Sequence, residues 1–296
     1  MIEQFYDLKP QVLELDRKTL ELCRDQFAHL EEIRDYNQLK MLRAFTDCGV
    51  EARHFLGSTG YGVWDDSRNK LEEVFSRCMG AEDALVRPQF MSGTHTLTVA
   101  LFGLLRAGDT LLAATGRPYD TLEGVIGIGE AGKGCGTLQE YGIHYDEVPL
   151  LPDFTPDYAA IAEHAKTATV VHIQRSRGYT QRNAFDLDTI QKVADTARKA
   201  NPDVVIFVDN CYGEFTQIRE PLSAGADVIA GTVLARTPAA ALPPLAAILP
   251  VKPTWWKKSA TALPPPASAR TLAARRTACV ILSSASITPP ALCVKH

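Results

Sequence analysis

Short apolar segments alternate with amphipathic helical segments between residues 84 and 233 of this chain. Strands are predicted at 84–86, 110–114, 145–150, 169–174, 204–209 and 227–233, and helices at about 94–105, 120–128, 157–165 and 186–200. Because neighbouring parallel strands need a crossover connection, usually a helix, this alternation predicts an α/β fold with a mostly parallel sheet and helices on both faces. Ligands of such folds bind at the carboxyl ends of the strands.

Residues 233–296 differ in composition from everything before them. They contain no Asp, Glu, Gly, Asn, Gln, Phe or Tyr, although the chain as a whole has 35 acidic residues and 20 glycines. Earlier in the chain, apolar residues at helical spacing over 7–45 predict one or two amphipathic helices, which act as scaffold or as an oligomer contact. The sequence therefore predicts three parts: a helical segment over 1–60, an incomplete α/β domain over 61–232, and a disordered Ala/Pro-rich tail over 233–296.

The sequence lacks the patterns that mark exported, membrane-spanning and metal-binding proteins. The first residues show no basic stretch followed by an apolar one, and no run of about 18 apolar residues occurs, so we expect a cytoplasmic protein without a membrane partner. The seven cysteines are scattered without a C-x-x-C pair or a Cys/His cluster, which predicts reduced thiols and no metal site. We expect no nucleic-acid partner either.

Two groups of residues at predicted strand ends suit a ligand. Ser92, Gly93 and Thr94 open a helix, where free backbone N–H groups and two hydroxyls can bind a phosphate, although the same pattern is a common helix N-cap. Asp209 follows a buried apolar strand, where a carboxylate can keep a pyridine nitrogen protonated. Without further context, an ordinary loop cap is the favoured interpretation of Asp209.

Other candidates are individually weaker. Tyr119 follows a strand end, where it can stack on a ring or belong to the core. Arg175 and Arg177 follow another strand, where they can bind a phosphate or carboxylate or form a solvated pair. The glycines of 127–132 match G-x-G-x-x-G and, with Lys133, nearly match a P-loop, but they follow a helix and lack the metal-binding hydroxyl. We interpret residues 127–133 as a flexible loop at the edge of the active site, and a nucleotide site is the less favoured alternative.

Taken together and in order, these motifs resemble one family. Residues 55–62 (FLGSTGYG), 83–90 (DALVRPQF), 92–95 (SGTH), 117–122 (RPYDTL), 173–179 (IQRSRGY) and 208–215 (VDNCYGEF) are similar to those of the aluminium-resistance proteins, also called methionine gamma-lyase-like proteins. These form a branch of the fold-type-I enzymes of Cys/Met metabolism that use pyridoxal 5'-phosphate (PLP). The resemblance runs from about residue 5 to about residue 232.

The resemblance implies a role for each matching residue. Ser92, Gly93 and Thr94 would bind the PLP phosphate, Tyr119 would stack on the ring, and Asp209 would pair with the pyridine nitrogen. Tyr61 would reach the cofactor of a neighbouring subunit, which implies a homo-oligomer, and Arg175 or Arg177 would hold substrate or cofactor oxygens. The implied reaction is elimination from a small sulfur amino acid by a carbon–sulfur lyase with the PLP-dependent transferase fold.

The lysine that this chemistry requires is absent. The family carries it soon after the segment that corresponds to 227–233, whereas residues 230–241 here read AGTVLARTPAAA, and Lys252 lies at the wrong spacing. Codons for the tail, read one base out of step, permit the family's own Lys-Asn-Pro-Gly-Gly-Gly motif and further family motifs for some thirty positions. We therefore hypothesise a frameshift near residues 233–235, with the C-terminal domain missing. The chain as written would be inactive, or a non-catalytic remnant that binds PLP weakly or not at all.

Overall fold

Seven strands form one sheet in the computed structural model, which describes residues 4–56, 65–87, 90, 92–231 and 281–283. The strands are β1 (Leu85–Arg87), β2 (Thr110–Ala113), β3 (His144–Glu147), β4 (Val170–Gln174), β5 (Val205–Asp209), β6 (Val228–Ala230) and β7 (Ile281–Ser283). Their order in the sheet is β1-β7-β6-β5-β4-β2-β3, and every pair is parallel. The α/β fold with a parallel sheet that the sequence predicts is confirmed.

Seven α-helices occur in the described part of the chain. They are α1 (Pro10–Leu22), α2 (Arg24–Asp47), α3 (Asp66–Met79), α4 (Gly93–Leu104), α5 (Asp120–Ile126), α6 (Tyr158–His164) and α7 (Leu187–Ala200). Helices α4 and α5 pack on one face of the sheet and α6 and α7 on the other. The two faces alternate along each strand, so that in β5 Ile206 and Val208 lie in one core cluster and Val205 and Phe207 in the other.

The central strands β4 and β5 are buried along their whole length, because apolar, mostly β-branched residues suit a strand that is covered on both faces. Their register pairs Gln174 with Asp209, so the two polar residues that end these strands lie side by side. The sheet therefore brings residues that are 35 positions apart in sequence to one edge, as the sequence predicts for a ligand site.

Several predicted boundaries differ from the structure. The helix predicted over 120–128 ends at Ile126, because Gly127 has a φ of 94° and terminates the helix in the left-handed conformation. The strand predicted over 145–150 is shorter and lies at His144–Glu147, and the strand predicted over 227–233 is β6, with residues after 231 outside those described.

The predicted tail contributes one strand. Over Ile281–Ser283 the structure has β7, which pairs in parallel with β1 and with Ala230 of β6, whereas the sequence predicts a tail without regular structure throughout. Isoleucine favours strands, and β7 pairs backbone groups that would otherwise be open between β1 and β6. The rest of 233–296 lies outside the described residues.

The N-terminal segment is helical, as predicted. Helix α1 has no buried residue, and α2 buries Asn37 and Ala44. Many large apolar side chains of these two helices are exposed, including Leu15, Leu22 and Leu39. Among the helices that the structure describes, none is long and apolar enough to cross a membrane.

Candidate functional site

A cavity of about 730 Å³ opens at the carboxyl ends of β4 and β5. Six of the eight residues proposed from the sequence line it: Gly93, Thr94, Tyr119, Arg175, Arg177 and Asp209. Ser92 lies directly beside them at the N-terminus of α4. The eighth, Tyr61, lies outside the described residues. Residues from four separate parts of the chain therefore meet at the edge of the sheet where a ligand is expected.

Asp209 ends β5 and is only 1% exposed. One of its carboxylate oxygens accepts a hydrogen bond from the backbone N–H of Cys211 at 3.0 Å. Burial raises the pKa of Asp209 to about 6, and the hydrogen bonds from Cys211 offset only part of this effect. A buried carboxylate that is costly to ionise gains most from a cationic partner, such as a protonated ring nitrogen.

The N-terminus of α4 borders the same cavity. The Ser92 Oγ accepts a hydrogen bond from the His95 backbone N–H at 3.1 Å, so Ser92 is an N-cap in this structure. Thr94 directs its hydroxyl toward the Tyr119 hydroxyl at 3.4 Å and the Thr121 hydroxyl at 3.0 Å. The helix dipole and the free N–H groups of the first turn make this end favourable for an anion.

Tyr119 lies between the end of β4 and the N-terminus of α4. Its backbone N–H donates to the side-chain oxygen of Gln174 at 3.1 Å, which anchors it to the end of β4. Burial raises the pKa of Tyr119, and the nearby carboxylate of Asp209 raises it further. The tyrosine therefore stays a neutral aromatic side chain near both Asp209 and Thr94, as a ring-stacking role requires.

The two arginines differ strongly. The guanidinium of Arg175 is buried and donates to the Asn210 side chain at 2.7 Å, the Gly213 carbonyl at 2.8 Å and the Gln217 side chain at 2.7 Å. Arg177 is exposed, and its side chain makes no hydrogen bond or ion pair with the described residues. Arg175 thus holds the chain together around the cavity, and Arg177 is the one of the two whose charge is available to a ligand.

Sequence reasoning assigned no role to two residues beside the site. Glu214 has a buried Oε1 atom without a hydrogen-bond partner, and burial raises its pKa well above the ordinary value. A Cβ atom at Gly231 would collide with that oxygen, so glycine is required there for the close approach. Gln174 holds Tyr119 as described above. Both lie within the quoted motifs, but their contacts depend on tertiary structure.

The glycine-rich loop does not form a nucleotide site. The carboxylate of Glu140 accepts hydrogen bonds from the backbone N–H groups of Gly134, Gly136 and Thr137, which occupies the groups that a phosphate would need. No residue of 127–136 is among those lining the cavity, so the loop is not at the edge of that cavity. The described residues also contain no cluster of three His, Cys, Asp or Glu suited to a metal.

The residues of the cavity fit a planar cofactor with a phosphate and a basic ring nitrogen. A buried carboxylate, an aromatic side chain and a helix N-terminus face one space, as the chemistry of such a group demands. None of the described residues that line the cavity is a lysine, so this part of the site offers non-covalent binding groups.

Comparison with known proteins gives consistent matches. The family model described as methionine gamma-lyase matches residues 12–274. The uncharacterized protein YnbB of Bacillus subtilis is 40% identical over 227 residues, which are 76% of this chain and 53% of that protein. The chain therefore spans about half the length of this relative. The family-model match runs to residue 274, so the similarity to the family extends past residue 232, where the sequence analysis places its end.

Two solved structures are also similar. A carbon-sulfur lyase involved in aluminum resistance from Clostridium novyi NT is 43% identical, with a TM-score of 0.73 over 76% of this chain and 54% of that one. A protein from Listeria innocua, also described as involved in aluminum resistance, is 38% identical, with a TM-score of 0.80 over 92% of this chain and 65% of that one.

Proposed function

This chain belongs to the methionine gamma-lyase family, and from that membership we propose that it is the PLP-binding part of a carbon–sulfur lyase that acts on small sulfur amino acids. The observation that carries the proposal is the position of Asp209 and the N-terminus of α4 on one cavity. When bound, PLP supplies an electron-withdrawing ring that stabilises negative charge at the carbon next to the amino group.

The described residues would divide the binding as follows. The backbone N–H groups of Gly93 and Thr94, with the hydroxyls of Ser92 and Thr94, would hold the phosphate, and Asp209 would hold a proton on the ring nitrogen. Tyr119 would cover one face of the ring, and Arg177 would attract a carboxylate or phosphate oxygen. Tyr61 of a neighbouring subunit, in a cytoplasmic homo-oligomer, is proposed on the family resemblance alone.

Inactivity of the chain as written is part of the proposal. A lyase of this type needs an amine that binds the cofactor and moves protons, and the sequence after Gly231 provides no lysine at the family's spacing. We attribute this to the frameshift near residues 233–235, with the division 1–60, 61–232 and 233–296 as stated above. The alternative is a non-catalytic remnant that binds PLP weakly or not at all.

Titration of the purified chain with PLP tests the proposal. We expect reversible binding that needs the phosphate, so that pyridoxal binds at least tenfold more weakly, and no pyridoxyl group left on a residue of the cavity after borohydride reduction. A matched control is Asp203→Asn, an exposed aspartate in the turn before β5, which should leave binding unchanged when Asp209→Asn weakens it. Equal binding of PLP and pyridoxal, or no effect of Asp209→Asn, would argue against this site.

A further inference from the structure

Helix α2 reaches the loop after β5 through Asn37, which is 5% exposed. The Nδ2 of Asn37 donates to the carbonyl of Phe215 at 3.1 Å and to that of Gln217 at 3.1 Å, as well as to Ile33 of its own helix at 3.0 Å. These carbonyls are only partly accessible to water and need donors, so the contacts determine which way the Asn37 amide points. One asparagine thereby connects residues about 180 positions apart in the sequence.

Lys40, one turn further along α2, contacts the same segment. Its Nζ lies 4.0 Å from the buried carboxylate of Glu220, 3.5 Å from the Ile218 carbonyl and 5.2 Å from the centre of the Phe215 ring. The side chain of Lys40 is 21% exposed, so its charge is only partly screened by water. Two polar residues of α2 therefore bind consecutive parts of 215–220.

The loop that they hold is strained. Tyr212 and Phe215 have φ values of 68° and 56°, which place two bulky residues in the left-handed region. Such conformations are unfavourable for residues with a Cβ atom and persist only where the surroundings fix them. Cys211, Tyr212 and Gly213 line the cavity directly after Asp209. The strained segment is thus part of the site.

Contacts hold the loop from two sides. Arg175 binds it from the end of β4, through the Gly213 carbonyl and the Gln217 side chain, and α2 binds it from the outside. We propose that Asn37 and Lys40 are positioning residues, which hold 211–217 in the shape that PLP binding requires. This rests on the proposed function, and it couples the N-terminal helices to the cavity.

Hydrogen exchange followed by mass spectrometry, together with PLP titration, tests the coupling. The variants are Asn37→Ala, Asn37→Asp, which keeps the shape but removes the donor, and Lys40→Met, with exposed Gln38→Ala on the same helix as the matched control. In both Asn37 variants we expect amides of 211–219 to exchange about tenfold faster and the PLP dissociation constant to rise about tenfold. Exchange in α7 should stay as in the wild type, since general destabilisation would speed exchange in α7 as well as in 211–219.

The outcomes separate the two proposals. Wild-type-like exchange at 211–219 in Asn37→Asp, or a uniform increase that includes α7, would overturn the positioning role. If the wild-type chain binds no PLP, the proposed function fails, but the exchange of the cofactor-free chain still decides whether α2 holds the loop. If both Asn37 variants are insoluble, Lys40→Met decides: faster exchange confined to 211–219 supports the role, and unchanged exchange contradicts it.

Discussion

Asp209 makes the folded chain sensitive to pH. Its pKa is raised to about 6 by burial, whereas an aspartate in an unfolded chain ionises near pH 4. Between these values the folded state holds a proton that the unfolded state has lost, so stability falls as the pH rises through this window. The cost reaches about 3 kcal/mol above pH 6, since each pKa unit corresponds to about 1.4 kcal/mol.

Asp209→Asn should therefore stabilise the cofactor-free chain at pH 7.5, by up to about 3 kcal/mol, and weaken PLP binding at the same pH. Urea unfolding at pH 7.5 and at pH 4 measures the first effect, which should disappear at pH 4, where the native aspartate is already protonated. Exposed Asp203→Asn is the control. Destabilisation at pH 7.5 would show that the carboxylate already has a stabilising partner.

Replacing Arg175 and replacing Arg177 should have different effects on stability and on ligand binding. Arg175→Ala leaves the Gly213 carbonyl and the Asn210 and Gln217 side chains without their donor, which should cost about 2–4 kcal/mol of stability. Arg177→Ala should change stability by less than about 0.5 kcal/mol but weaken PLP or amino-acid binding about tenfold. Urea unfolding and ligand titration of both variants measure the difference. Equal losses of stability would contradict the division of roles.

At this scale the sequence predicts which residues meet, but not what each one does. Asp209 is predictable because a polar residue after a buried apolar run marks a strand end. Arg175 and Arg177 look equivalent in sequence, and only the distant partners Asn210 and Gln217 show that one of them is buried. Asn37 gave no signal, since its partners are carbonyls about 180 residues away.

Among the elements, α4 combines a capping function with the proposed phosphate site. Ser92→Asp should retain the cap, because aspartate caps helices as well as serine does, yet its charge should repel a phosphate. We expect thermal stability within about 0.5 kcal/mol of the wild type and at least tenfold weaker PLP binding, whereas Ser92→Ala should lose about 1 kcal/mol.

Thermal unfolding and PLP titration of the two Ser92 variants make the comparison. Asp157→Ser, at the equivalent N-cap of α6, controls for exchanging these two capping residues away from the cavity. If Ser92→Asp binds PLP as tightly as the wild type, the N-terminus of α4 is a cap only, and the phosphate site must lie elsewhere.

Element type follows from local pattern and element ends from single residues. The buried strands β4 and β5 consist mostly of apolar residues, and Gly127 ends α5 because it adopts the left-handed conformation. The strand Ile281–Ser283 was not predicted, because its place depends on the sheet edges of β1 and β6 and not on its own three residues.

For the whole molecule, composition and topology lead to one hypothesis. The parallel sheet places the cavity at the ends of β4 and β5, and the chain spans 53% of the length of a relative that is 40% identical. Apolar side chains of α1 and α2, such as Leu15 and Leu22, are exposed in this chain. A frameshift near residues 233–235 would account for both the absent lysine and the unusual tail.

Restoring the frame is the decisive experiment. Sequencing the locus should show a one-base change near codons 233–235, and the corrected gene should encode a lysine soon after Gly231. Its product should bind PLP covalently, with an absorbance band that borohydride removes, and should release thiol from sulfur amino acids. The same product with that lysine replaced by alanine is the control, and it should keep the fold but lose both signals. An unbroken reading frame, with no hidden lysine codon, would instead make this chain a remnant whose cavity binds PLP without catalysis.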